Sequence, residues 1–167
     1  NGFYEILANS LTNPDYQKHI NRDADSGVAL LNPLSSELSS MRMDLLFGGL
    51  EAIAHNLNRR QTDLKFYEFG KISSQNNGKH REEERLSLLL SGKDHRDQWT
   101  GSGSPVGFFY LKGVIDQILE RVGMGSREET PIADARFSEA LRITLNGTTI
   151  ATLGIIEGEI LKAFDIR

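Results

Sequence analysis

Apolar residues recur at helical spacing in the first half of the chain. Spacings of four, three and four residues place these side chains on one face of an α-helix. They belong to Leu46, Leu50, Ile53 and Leu57. Gly48 and Gly49 lie in the same stretch, and each costs a helix about 1 kcal/mol relative to alanine. The pattern predicts either a helix that starts after the glycines or one that approaches a neighbouring helix closely through them.

A second apolar stripe, in the latter half of the chain, is longer and more regular. Polar residues occupy the opposite face, and Gly123 follows the stripe as a natural helix end. The stripe consists of Leu111, Val114, Ile115, Ile118, Leu119 and Val122. This pattern predicts an amphipathic helix that lies on a sheet.

Short apolar or alternating runs bounded by turn residues predict strands. These runs cover residues 3–11, 27–31, 63–73, 86–90, 141–145 and 150–156. Asn146-Gly147 joins the last two runs, and this dipeptide is a strong hairpin signal. The charged stretch 75–85 is expected to be an exposed loop or hairpin end, and residues 159–164 a short helix. Together the elements predict an α+β fold, in which helices flank a mostly antiparallel sheet.

Composition narrows the possible functions. The chain has 167 residues, 38% of them hydrophobic, which fits one globular domain with its own core. Its net charge of −4 argues against nucleic-acid binding through bulk charge. The absence of cysteine excludes disulfides, thiol nucleophiles and thiolate metal sites. No apolar run approaches the ~18 residues that a membrane helix needs, so we expect no membrane association.

Local motifs predict no active site. The histidines, at positions 19, 55, 80 and 95, lack the spacing of metal ligands. Glu82-Glu83-Glu84 is flanked by Arg81 and Arg85, which favours a solvated charge cluster over a cation site. The Gly- and Ser-rich stretch 101–107 lacks the third glycine of a dinucleotide fingerprint and is expected to be a loop.

Several short stretches nevertheless stand in a specific order along nearly the whole chain. They are Gly2-Phe3-Tyr4-Glu5-Ile6, Leu30-Leu31-Asn32-Pro33-Leu34-Ser35-Ser36-Glu37, Ser40-Met41-Arg42, Leu45-Leu46-Phe47-Gly48-Gly49-Leu50-Glu51, Phe66-Tyr67-Glu68-Phe69-Gly70, Phe108-Phe109-Tyr110-Leu111-Lys112-Gly113, Leu153-Gly154 and Phe164-Asp165-Ile166. In this order they resemble the class II synthetase-like core domain of the β subunit of bacterial phenylalanine–tRNA ligases.

The resemblance implies a role within a larger enzyme. Enzymes of this family contain two α and two β subunits, use ATP and Mg²⁺, and attach phenylalanine to tRNA in the cytoplasm. The α subunit carries the active site, and the β core packs against it. We therefore expect residues 1–167 to be one noncatalytic domain of a longer β subunit, with no cofactor of its own. The start of the chain, which lacks an initiator methionine, fits such a fragment.

The residues at the second sequence motif of the family support the expectation that the domain is noncatalytic. A catalytic class II domain needs an arginine there to hold the ATP α-phosphate, and none occurs between Lys65 and Gly70. Lys65 and Lys71 are the nearest cations, but lysine lacks the planar fork of arginine. A second departure follows the closing hairpin, where Glu157-Gly158 stands in place of the family's frequent His-Pro.

Two sets of candidate contact residues follow from the resemblance. The candidate interface with the α subunit comprises Phe3, Tyr4, Arg42, Leu46, Phe47, Gly49, Leu50, Ile53, Glu68 and Phe69. The alternative for the apolar stripe is that it forms the domain's own core, and Arg42 and Glu68 can equally pair within the domain. The candidate tRNA contacts are Arg59, Arg60, Lys65 and Lys71. A tRNA-contacting module and a catalytically live ligase domain are the two alternative functions.

Overall fold

The computed structural model describes residues 2–19, 26–95, 99 and 101–166. Within them the chain forms three α-helices and eight strands. In chain order the elements are β1 (Tyr4–Glu5), β2 (Leu11–Thr12), β3 (Ser40–Met41), α1 (Leu46–Leu57), β4 (Leu64–Asn76), β5 (Lys79–Ser91), α2 (Phe108–Arg121), β6 (Glu128–Asp134), β7 (Phe137–Leu145), β8 (Thr148–Ile156) and α3 (Gly158–Ala163). Short 3₁₀ turns span Pro14–His19 and Ser36–Leu38.

The first sheet has the order β1-β4-β5. β1 runs parallel to β4, and β4 and β5 form a long antiparallel hairpin that turns at Asn77 and Gly78. The predictions of a strand at 63–73 and of a hairpin end within 75–85 are confirmed. The prediction of one strand over residues 3–11 is wrong in its extent. The backbone leaves the sheet after β1 because the Ala8 amide donates to the Glu68 carboxylate and the Ser10 carbonyl accepts from the Arg42 amide.

The second three-stranded sheet has the order β6-β7-β8. Its β7–β8 hairpin is confirmed, and Asn146 and Gly147 adopt φ values of 50° and 78° at the turn, as a tight two-residue hairpin requires. β6 went unpredicted. It is an edge strand, where Pro131 is tolerated although it has no N–H to donate.

The strand predicted at 27–31 is wrong. Only Ala29 makes an isolated bridge, to Ser40, and both Ala29 and Leu31 are exposed. Residues 27–31 have no continuous partner strand, so their backbone groups cannot form the ladder of hydrogen bonds that a strand requires. The apolar pattern alone was therefore not sufficient to predict a strand. β2 and β3 pair with each other as a separate two-stranded sheet beside this segment.

Both glycines lie inside α1, so the helix does not begin after them. The parts of the chain that they approach closely are the segment after β1 and strand β5, and neither is a helix. A methyl group on Gly48 would lie 2.7 Å from the Ala8 side chain, and one on Gly49 would lie 2.7 Å from a Leu89 methyl in β5. Gly49 thus lets α1 pack directly against β5, and Gly48 lets it pack against the segment that follows β1.

Apolar packing forms two clusters. The larger joins α1 to the inner face of β4 and β5 and to the C-terminal helix α3; its fully buried members include Leu50 and Ile160. The smaller joins α2 to β7 and β8 through Leu119, Ile143 and Leu153. The predicted α2 stripe is therefore confirmed as a helix face packed on a sheet as far as Leu119, whereas Val122 lies beyond the end of α2 and is exposed.

The α+β class is confirmed, and all ladders except the β1–β4 pair are antiparallel. The strands are distributed over separate sheets, whereas the sequence predicted one. Among the described residues, no helix is both long enough and apolar enough to cross a membrane.

Candidate subunit-interaction surface

The outer face of the β4–β5 hairpin is aromatic and aliphatic. Leu64 and Phe66 point inward to α1, so strand alternation directs Tyr67 and Phe69 to the opposite face. Leu88 and Leu86 lie directly across from them on β5. We call these four side chains, Tyr67, Phe69, Leu86 and Leu88, the outer sheet face.

The outer sheet face is only partly covered. Phe69 is 66% exposed and Leu86 40% exposed. The Tyr67 and Phe69 rings meet edge to face with centroids 5.9 Å apart, a favourable arrangement for an aromatic pair. An exposed aromatic pair is typical of the centre of a protein–protein interface.

One end of this face is covered by α2. The Lys65 ammonium donates to the Tyr110 hydroxyl at 2.7 Å and lies 4.9 Å from the centre of the Tyr110 ring. This contact attaches α2 to β4. It also occupies the ammonium group of Lys65, which is one of the candidate tRNA contacts.

The Arg42–Glu68 pair is internal and buried. Arg42 Nη1 lies 2.6 Å from Glu68 Oε1, and the two side chains are 8% and 1% exposed. Arg42 Nε also donates to the Lys71 carbonyl at 2.9 Å, and Ala8 N donates to Glu68 Oε1 at 3.2 Å. Gly70 permits this arrangement, because a side chain there would collide with the guanidinium. The pair ties the segment after β1 and the segment before α1 to β4.

The other candidate interface residues divide by burial. Tyr4 is 74% exposed, and Phe3 is half-buried. The members from α1 face the domain's own core against β4 and β5; they are Leu46, Phe47, Gly49, Leu50 and Ile53. Contact between any of these residues and a second subunit stays a prediction, and Tyr4 and Phe69 are the candidates with the most exposed side chains.

The four candidate tRNA contacts do not form one cluster. Arg59 and Arg60 follow α1, and the Arg59 guanidinium donates to the His55 carbonyl at 3.1 Å. Lys71 lies six residues beyond Lys65 on β4, roughly 20 Å along the strand, and its ammonium is 3.4 Å from Glu82. Their contact with tRNA stays a prediction.

A group of ion pairs that the sequence analysis did not predict joins the turn between β6 and β7 to the segment before α1. Arg136 Nη1 lies 2.5 Å from Asp44 Oδ2, and Arg136 Nη2 lies 2.7 Å from Asp134 Oδ2. Hydrogen bonds from Arg136 hold the pKa of Asp134 below its ordinary value. Asp44 and Arg136 are 92 residues apart, so no local signal could have paired them.

A similar group fixes α2 to β6. Lys112 contacts both Asp116 and Glu129, at 2.8 and 2.9 Å, and Arg127 contacts Asp116 at 2.5 Å. The hydrogen bond from Lys112 and, to a smaller extent, that from Arg127 lower the pKa of Asp116. These side chains pair with one another and form a structural network.

The residues on the outer sheet face do not fit ATP. The strand that would hold a phosphate presents the Tyr67 and Phe69 rings there. Of the two nearest cations, Lys65 is hydrogen-bonded to Tyr110 and Lys71 is paired with Glu82. Within the described ranges, no group of three His, Asp or Glu side chains is placed to hold a metal ion.

Comparison with known proteins identifies the family. A family model described as "Phenylalanyl tRNA synthetase beta chain CLM domain" matches residues 1–167. The chain is 39% identical over 178 residues to the phenylalanine–tRNA ligase beta subunit of Bacteroides thetaiotaomicron and 34% identical over 179 residues to that of Porphyromonas gingivalis. Both alignments cover 99% of this chain and 22% of the relative. The chain therefore spans about a fifth of the length of the curated relatives it matches.

Solved structures show the same fold. Two structures of pyrrolysyl tRNA synthetase from Desulfitobacterium hafniense superpose with TM-scores of 0.70 and 0.68, at 14% and 13% identity. Each comparison covers 99% of this chain and 57% of the other. The likeness confirms the class II synthetase-like core, and at this identity it concerns the fold alone. By its sequence along its full length, the chain belongs to the phenylalanyl tRNA synthetase beta chain CLM domain family.

Proposed function

We propose that this chain is a noncatalytic subunit-interaction domain of the β subunit of phenylalanine–tRNA ligase. The observation that carries the proposal is the outer sheet face, where Phe69 is exposed yet held edge to face by Tyr67. A class II domain that activates an amino acid needs cationic groups for the ATP phosphates at this strand. An aromatic surface there suits protein contact and is unsuited to phosphate.

The partner that this role requires is the α subunit, in an assembly of two α and two β subunits. In this proposal α carries the active site and uses ATP and Mg²⁺, and the cytoplasmic holoenzyme charges tRNA with phenylalanine. The present 167 residues form one domain of the longer β subunit. Their contribution is to hold α in place, so loss of the contact lowers aminoacylation only by dispersing the assembly.

The test compares two substitutions in the complete β subunit. Phe69→Ser removes an exposed ring from the outer sheet face, and Val122→Ser removes an exposed apolar side chain after α2; the two residues are 66% and 61% exposed. We expect Phe69→Ser to weaken assembly with α at least about tenfold, the effect of a central aromatic contact. Val122→Ser should leave assembly unchanged.

Light scattering after gel filtration, over a range of subunit concentrations, measures both effects. Circular dichroism of each variant verifies that the substitution leaves the fold intact. Equal assembly by the Phe69→Ser variant and the wild-type subunit would remove the outer sheet face from the interface.

A further inference from the structure

The loop between β5 and α2 carries the one tryptophan of the chain, Trp99, and its side chain is 97% exposed. Tryptophan is highly buried on average, because the indole has a large apolar area. An indole left almost entirely in water is therefore typical of a contact site for another molecule. We call residues 93–105 the Trp99 loop; the structure describes 93–95, 99 and 101–105 of it.

The two ends of the Trp99 loop are fixed to each other. Asp94 N donates to the Ser104 carbonyl at 2.9 Å, and Ser104 N donates to Asp94 Oδ1 at 2.8 Å. Just outside this pair, Val106 N donates to the Gly92 carbonyl at 2.9 Å. The loop therefore leaves the fold and returns to it at one closed base, and compact surface loops of this kind are frequently functional.

The base of the Trp99 loop lies at the end of the outer sheet face that α2 covers. On one side of the base, Lys93 N donates at 2.9 Å to Asp63 Oδ1, just before β4. On the other side the chain enters α2, whose Tyr110 hydroxyl accepts a hydrogen bond from Lys65 on β4. The loop is thus attached beside the aromatic surface through which this domain is proposed to contact α.

The charges of the Trp99 loop favour a protein over a nucleic acid as its partner. Its sequence contains two cations, Lys93 and Arg96, and two anions, Asp94 and Asp97, so the formal charge is zero with histidine neutral. Nucleic-acid binding depends on a surplus of Lys and Arg that neutralises phosphates, and this loop has none. Tryptophan is enriched among the residues that contribute most to protein–protein binding, where it fills an apolar pocket.

We propose that Trp99 is an anchor of the contact with the α subunit and inserts its indole into an apolar pocket of α beside the outer sheet face. The inference rests on the proposed function and adds to it a contact outside the sheet. Because the base of the loop is closed, ordering of the loop on binding costs less conformational entropy than it would for an open segment. The contact therefore joins two neighbouring surfaces of one domain to the same partner.

The test is hydroxyl-radical footprinting of the complete β subunit, read by mass spectrometry, without and with the α subunit. The rate of oxidation of Trp99 is compared with that of Leu31, which is 94% exposed on another loop. We expect rapid oxidation of Trp99 in β alone and loss of that oxidation once α is bound, with the rate at Leu31 unchanged. Light scattering of the same samples measures the assembly.

Three substitutions in the complete β subunit measure the contribution of the indole to assembly. Trp99→Ser should weaken assembly with α at least about tenfold, the effect of losing a buried aromatic anchor. Trp99→Phe keeps an aromatic ring and should weaken assembly less than Trp99→Ser. Leu31→Ser removes an apolar side chain of similar exposure and should leave assembly unchanged.

The inference is overturned if Trp99 is protected before α is added, since β itself would then cover it. Equal oxidation with and without bound α would also overturn it, as would protection by tRNA and not by α. An effect of Phe69→Ser on assembly without one of Trp99→Ser would exclude the loop and keep the outer sheet face. Absence of any assembly between wild-type β and α would refute the proposed function, and the inference with it.

Discussion

Removal of the Arg42 guanidinium, in the variant Arg42→Met, should cost more stability than any exposed substitution in the domain. The change leaves the Glu68 carboxylate, 1% exposed, with the Ala8 amide as a remaining donor. It also removes the donor to the Lys71 carbonyl. Breaking a buried ion pair from one side costs about 3–5 kcal/mol, because the other charge stays buried without compensation.

The double variant Arg42→Met/Glu68→Leu separates the energy of the ion pair from the energy of the other contacts that the two side chains make. It removes both charges and leaves the Ala8 amide and the Lys71 carbonyl without their side-chain partners, at a cost of about 1–3 kcal/mol each. The long contact of 3.5 Å from Arg42 Nη1 to the Ala8 carbonyl is lost as well. The loss in the double variant should therefore be smaller than the sum of the two single losses by at least about 2 kcal/mol.

Urea unfolding of the wild type, the two single variants and the double variant measures all four free energies. The slope against urea must stay constant for the comparison to hold. Additive effects within about 0.5 kcal/mol, or a loss below about 1 kcal/mol for Arg42→Met, would refute the account of a coupled buried pair.

Three further predictions concern the turn and two titrating groups. Gly147→Ala should destabilise the β7–β8 hairpin by about 1 kcal/mol, because φ is +78° there, and a lower urea midpoint would report it. The lowered pKa of Asp134 adds stability above its unfolded pKa of about 4 that is lost as pH falls. Asp134→Asn should therefore flatten the acid side of the stability–pH profile, and an unchanged profile would contradict the Arg136 contact. Burial, with the hydrogen bond to Glu51, raises the pKa of Tyr16, so the stability of the domain should fall as pH rises past about 10. Phenolate absorbance should show that Tyr16 ionises at higher pH than the exposed tyrosines. Ionisation at the same pH as the exposed tyrosines would contradict this prediction.

Local signals in the sequence were sufficient for the regular elements. The α2 stripe encodes a helix because its apolar spacing matches the helical repeat, and Asn146-Gly147 encodes a tight turn because both residues accept positive φ. β6 was missed because an edge strand needs neither alternation nor a backbone donor at Pro131. The strand predicted near Ala29 failed for the opposite reason, since its apolar residues have no continuous partner strand.

The interaction surface could be predicted only in part. Alternation along β4 places Phe66 and Phe69 on opposite faces, but which face α1 covers depends on tertiary packing. The α1 stripe was a candidate for the subunit interface, and the structure places it against β4 and β5 within the chain. Long-range contacts such as Asp44–Arg136 depend on how the two sheets sit together, which no local pattern encodes.

The most direct test of the central claim is phenylalanine-dependent exchange of pyrophosphate into ATP, measured with the complete β subunit alone and after addition of α. The account predicts no exchange by β alone and exchange once α is present, because the strand that would bind ATP phosphates carries Tyr67 and Phe69 and no arginine. Exchange by the β subunit alone, abolished by substitutions on the outer sheet face, would contradict it and identify a live active site in this domain.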